Sequence, residues 1–148
     1  MSDTLPADTL RAAAERLREL ATNATPGPWR NHDTHLGQYG YTATVLSGDG
    51  NTTQLRAWLP TMSQEPWDEA RNAWADSAYI AAMHPGVGNA LAAWLEAAAR
   101  DYEASVTAAD QVFHDDPEGR QAFITTGPGA PSPHALAVAH HILEGGPR

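Results

Sequence analysis

The sequence predicts an α+β protein, mostly helical. The expected architecture is a helical hairpin with a long central helix packed against a small three-stranded antiparallel meander, followed by two short C-terminal helices. Three observations carry this. Apolar residues recur at helical spacing over residues 85–113. Residues 28–60, bounded by prolines, hold three short strand-like runs around a glycine-rich turn. Asp116-Pro117 and Ser132-Pro133 each join a capping residue to a proline suited to the first helical position. At 148 residues the chain is long enough for one domain with a core. A single domain is expected, ordered as helix 7–23, meander 28–60, hairpin 66–113 and two short helices over 116–145.

The first helix places Leu10, Ala13, Ala14, Leu17, Leu20 and Ala21 on one stripe, with Arg11, Glu15, Arg16, Arg18 and Glu19 mostly opposite. Glu15 stands at helix-neighbour spacing from Arg11 and Arg18. Thr25-Pro26-Gly27-Pro28 stops it, because two prolines and a glycine cannot continue a helix. Strands follow around Trp29–His32, Tyr41–Leu46 and Thr53–Leu59, with the turn Ser47–Asn51 between the last two. Simple alternation puts Leu55, Ala57 and Leu59 on one face of the third strand and Arg56 and Trp58 on the other.

The next helix opens at Pro66 or Trp67. Trp67, Ala70, Trp74, Ala78 and Ala81 mark its expected buried stripe, broadened by Ile80 and Met83. His84-Pro85 breaks it, since the residue before proline resists the α region and proline suits a new first turn. The long helix then carries Val87, Leu91, Trp94, Leu95, Ala98, Tyr102, Val106, Ala109, Val112 and Phe113. Such a strut serves either as the centre of a core or as a surface shared with a second copy.

Composition narrows the functional classes. Hydrophobic residues make up 42%, but many are alanine, so the five tryptophans are expected to supply much of the large apolar surface. There is no cysteine, hence no disulfide framework, thiolate metal site or cysteine nucleophile. No run is long and apolar enough to span a membrane, and the N-terminus lacks a signal-peptide pattern, so a cytoplasmic location is expected. All nine basic residues are arginine, a bias suggesting a high-GC genome. Net charge is −9, concentrated in residues 61–118, where eleven acids face only Arg71 and Arg100. That balance disfavours a phosphate backbone as partner.

Candidate chemistry is sparse. His32, Asp33 and His35 could offer a metal two or three ligands, and a metal-dependent hydrolase using them with helical acids is one reading. Their spacing is that of a loop or strand end, and a polar loop is the plainer reading. His114-Asp115-Asp116 suits a helix end and the next cap. Asp68, Glu69, Asp76, Glu96, Asp101 and Glu103 lack the repeated Glu-x-x-Glu pattern of helical pyrophosphohydrolases and read as a solvated face. The meander is richer. Trp29, Arg30, His32, His35, Tyr41, Arg56 and Trp58, with Tyr39 nearby, combine aromatics with cations. Such a set can hold a planar or phosphorylated ligand by stacking and charge-assisted bonds. Its plain counterpart is that the tryptophans cover the helices and the arginines solvate the rim.

Two stretches carry a resemblance. Ala24-Thr25-Pro26-Gly27-Pro28-Trp29 follows an amphipathic helix, and Asp76-Ser77-Ala78-Tyr79-Ile80-Ala81-Ala82-Met83-His84-Pro85 leads to Leu91 and Leu95. Together they resemble the Ead-type accessory proteins of lambdoid phages and related uncharacterised proteins of actinobacteria and their phages. The match covers roughly residues 10–30 and 74–98. The resemblance implies an accessory or host-interaction gene that self-associates, and it transfers no catalytic residue. The expected function is a non-enzymatic binding protein of phage or prophage type. It would take a small nucleotide-like ligand or a host protein through the meander, with no cofactor implied. A metal-dependent hydrolase and a structural, homo-oligomerising helical protein are the alternatives.

Overall fold

Helix α1 spans Leu5–Asn23 and starts where the Thr4 carbonyl accepts the Asp8 N–H at 2.9 Å. The Pro-Gly-Pro turn ends it, with a cis bond at Gly27-Pro28. Three strands follow: β1 Trp29–Asp33, β2 Ala43–Ser47 and β3 Gln54–Leu59, antiparallel in the order β1-β2-β3. Helices α2 Pro66–Ala82, α3 Pro85–Val112, α4 Pro117–Thr125 and α5 Pro133–Glu144 complete the chain. This computed structural model describes residues 4–35, 42–59 and 66–145, with side chains for all but 66–71.

The mostly helical α+β class and the antiparallel meander are as expected. The chain divides into two compact units, Leu20–Gly88 and Met1–Glu19 with Asn89–Arg148. The boundaries fall inside α1 and α3, so each of these helices contributes to both.

In the Leu20–Gly88 unit, α2 packs against the sheet. Among its described side chains the buried positions are Ala73, Ser77 and Ala81, at i, i+4 and i+8. Ala81 is buried as expected, whereas Trp74 and Ala78 are only half-buried and Met83 is exposed, a correction to the expected stripe; the side chains of Trp67 and Ala70 lie outside the described residues. Small side chains let a helix lie close on a sheet, and the Ser77 hydroxyl is satisfied by donating to the Trp74 carbonyl at 2.9 Å. The β2–β3 connection is a 3-10 turn, Gly50–Thr52. Gly48 sits at φ +73°, and a Cβ there would lie 2.3 Å from the Thr52 carbonyl oxygen, so both backbone and space require glycine.

In the helical unit, eight of the twelve buried core residues are alanine: Ala7, Ala13, Ala14, Ala92, Ala99, Ala109, Ala135 and Ala139. Leu10, Leu95, Tyr102 and Ile124 are the others. Trp94, the tryptophan of this unit, is 41% exposed and does not fill the core. Alanine faces allow closer helix axes, so dispersion contacts replace bulk. The caps behave as the dipeptides predict. The Asp116 carboxylate accepts the Gly119 N–H at 2.9 Å, and the Ser132 hydroxyl accepts the Ala135 N–H at 3.2 Å.

Candidate functional site

The sheet sorts the meander residues by face. Strand partners share a face, and successive residues alternate. His32, Thr44 and Trp58 form one row across the three strands, and Arg30, Leu46 and Leu55 form the next. Asn31-Val45-Ala57 and Asp33-Ala43-Leu59 lie on the opposite face, as does Trp29 beside Ser47. On this second face Val45 and Ala43 are buried and their strand neighbours Asn31, Asp33, Ala57 and Leu59 are half-buried, while the central strand is buried on both faces.

The first face is open at its flanks. Trp58 is 55% exposed and Leu55 53%, and His32 is exposed, while Thr44 and Leu46 are buried between them. The Thr44 hydroxyl donates to the His32 carbonyl at 2.7 Å, fixing the row. Arg30 reaches along the sheet to donate to the Gly48 carbonyl, 3.6 Å from the Asp49 carboxylate. A bulge changes the alternation of β3. Val45 pairs with Ala57 but Leu46 pairs with Leu55, so Arg56 is the extra residue. Leu55 is thereby moved to the Trp58 face, a correction to the simple alternating pattern.

Trp29 and Arg56 meet elsewhere. The Trp29 indole N–H donates to the Thr25 carbonyl at 3.0 Å, and the Arg56 guanidinium donates to the Thr25 hydroxyl. Both side chains therefore brace the turn after α1. His35 lies beyond the end of β1, exposed, with φ 54°. Of the seven expected binding residues, Arg30, His32 and Trp58 share the open face, Trp29 and Arg56 converge on Thr25, and His35 stands apart. Tyr41, like Tyr39, lies outside the described residues.

Asp33 is a brace for the strand end. Its Oδ1 accepts the backbone N–H groups of His35 and Thr42, each at 2.9 Å, and its Oδ2 lies 3.3 Å from the His35 Nδ1. Desolvation pushes the carboxyl upward. The two backbone hydrogen bonds, with the charges of His35 and His32 behind them, outweigh this and hold it below the ordinary aspartate value. Adjacent positions put His32 and Asp33 on opposite faces of β1, so the three residues do not converge. Among the described residues no group of three His, Cys, Asp or Glu side chains is placed to hold a metal.

The two motif stretches touch. A Cβ on Gly27 would lie 2.5 Å from the His84 Nδ1, and one on Gly86 would lie 2.7 Å from the His84 Cε1. The imidazole is thus laid between two glycines. Its Nδ1 accepts the Gly86 N–H at 3.1 Å, which places the proton of the neutral ring on Nε2. The His84 carbonyl accepts the Val87 N–H at 2.9 Å and begins α3, with Pro85 in the first turn.

In the helical unit, a charged seam joins α1 to α3. Arg11 forks onto Glu103 and Arg18 onto Glu96, with second contacts at 2.6 and 3.0 Å. Seven residues separate the members of the seam on each helix, in opposite directions, so the helices run antiparallel. The hydrogen bond from Arg11 holds the Glu103 carboxyl below its ordinary value, and Glu103 raises the Arg11 guanidinium in return. The expected pairing of Glu15 with its own helix neighbours is replaced by these cross-helix forks. A groove of about 530 Å³ lies along the seam, lined by Arg11, Glu15, Arg18, Glu96 and Arg100. Glu96 and Glu103, read from sequence as part of a solvated face, are arginine partners. His114 stands 2.8 Å from Asp115 on the surface, as the plain reading expects. Among the described residues no helix is long and apolar enough to cross a membrane. The chain matches no protein-family model, no curated protein and no solved structure.

Proposed function

We propose that this chain is a non-enzymatic binding protein of the phage or prophage accessory type, acting in the cytoplasm, whose open sheet face engages a host protein or a planar, nucleotide-like ligand. One observation supports it above the others: Trp58 is 55% exposed on the same face as His32, Arg30 and Leu55. An indole that merely covered a helix would be buried. Exposed aromatic and arginine side chains on a rigid sheet are the groups that dominate binding energies at interfaces. The Ead-type resemblance adds the accessory role. The stretches that carry it, around Gly27 and His84, form a scaffold contact, which leaves recognition to the strands.

Trp58→Ala is the direct test, because an exposed side chain can be removed with little effect on folding. Thermal-shift titration with a panel of nucleotides and cyclic dinucleotides should raise the midpoint of the wild type and not of Trp58→Ala if the target is a small ligand. With no shift from any of them, the small-ligand form is discarded. Immobilised wild type should then capture a host protein that Trp58→Ala and Arg30→Ala release. Identical capture by wild type and both variants would refute the assignment to this face.

A further inference from the structure

We propose that a trough between α3 and the linker ahead of α5 docks an arginine side chain of a partner protein. The trough has a volume of about 290 Å³, walled by Trp94, Tyr102, Pro128 and Pro131, with Asp101 and Ser105 along its α3 side. It belongs entirely to the helical unit and is independent of the sheet face. Trp94 to Ser105 is eleven residues, or about 16 Å at 1.5 Å per residue.

The chemistry favours a guanidinium. Helix α3 carries four acids, and three of them hold arginines of this chain: Glu96 takes Arg18, Glu103 takes Arg11 and Asp110 takes Arg120 at 2.5 Å. Asp101 is the fourth, and its carboxylate has no partner among the described residues. The Ser105 hydroxyl is turned back onto the Asp101 backbone carbonyl at 3.0 Å, so it does not occupy the carboxylate. Among the described residues no arginine lines the trough, and Arg100 lies on the seam side of the helix. Two turns separate Asp101 from the exposed indole of Trp94, so a cation seated between them is within reach of both. Arginine suits this better than lysine, because its planar head stacks on an indole and pairs bidentately with a carboxylate. The prolines and Trp94 cover its methylenes.

The test titrates the full chain, with labelled indole nitrogens, using a blocked tetra-arginine peptide. The Trp94 indole resonance, assigned by its loss in Trp94→Phe, should move saturably. Asp101→Asn, at an exposed position, should weaken binding about tenfold, whereas Glu118→Gln, which removes the same charge from α4, should leave it within about twofold. An isosteric tetra-citrulline peptide should not bind. Equal loss in Asp101→Asn and Glu118→Gln would reduce the effect to diffuse charge attraction and overturn the proposal. So would binding of the citrulline peptide, or a Trp94 resonance that never moves. N-methylguanidinium binding as tightly as the peptide would reassign the trough to a free small cation.

Discussion

Gly27 and Gly86 hold their places because of His84; for Gly86 the reason is two residues away, but for Gly27 it lies far along the chain. An alanine at 27 would meet the ring and the Cβ of His84, not only its far edge. The ring cannot swing away freely, since its Nδ1 is held by the Gly86 N–H. Gly27→Ala should therefore cost about 1–3 kcal/mol, the range for forcing an extra methyl into packed structure. In a His84→Ala background the same change should cost less than half as much, measured as a double-mutant cycle by denaturant unfolding. An undiminished cost in that background would mean the two residues do not touch. Both residues were recognisable as motif positions in sequence. Their contact was not, because fifty-seven residues separate them.

Elements show where period-based reading succeeds and where it slips. Proline restarts, acidic or serine caps and the turn after β2 were all legible, since each follows from one or two residues acting on their own backbone. The β3 face assignment slipped at Arg56, because a bulge is decided by pairing with β2 and not by the strand's own pattern. The α1–α3 seam was legible only as two charged helices. Its cross-helix forks predict an order of stability. Arg18→Glu should lower the urea midpoint, and Arg18→Glu/Glu96→Arg should recover much of the loss, with both effects shrinking in high salt. The pH dependence has a definite sign. The folded-state Glu103 carboxyl titrates below its unfolded value, so its contribution is complete above the unfolded glutamate value and is lost as pH falls through the folded one. Glu103→Gln should flatten that acid-side loss, and a slope equal to the wild type would remove Glu103 from the account.

At the scale of the whole molecule, the two units differ in what holds them. The helical unit rests on fully buried alanines with Leu10, Leu95 and Ile124, and α3 runs about 42 Å, supplying its part of that core from Ala92 to Ala109. The other unit rests on a central strand buried throughout, flanked by an edge strand whose first three residues are exposed. Hydrogen exchange should follow this. Amides of α3 between Ala92 and Ala109 should be the slowest of their unit, and β3 should exchange faster than β2. Equal protection of β2 and β3 would mean the outer edge of β3 is covered. The sequence alone determined the order and type of elements, because helix periodicity, proline and glycine stops and capping pairs act within a few residues. Tertiary structure decided which side chains meet: Trp29 and Arg56 at Thr25, His84 against Gly27, Arg18 on Glu96, and Trp58 left open to solvent. Those outcomes depend on strand register and helix packing between residues far apart in the chain, and such distances leave no local periodic trace.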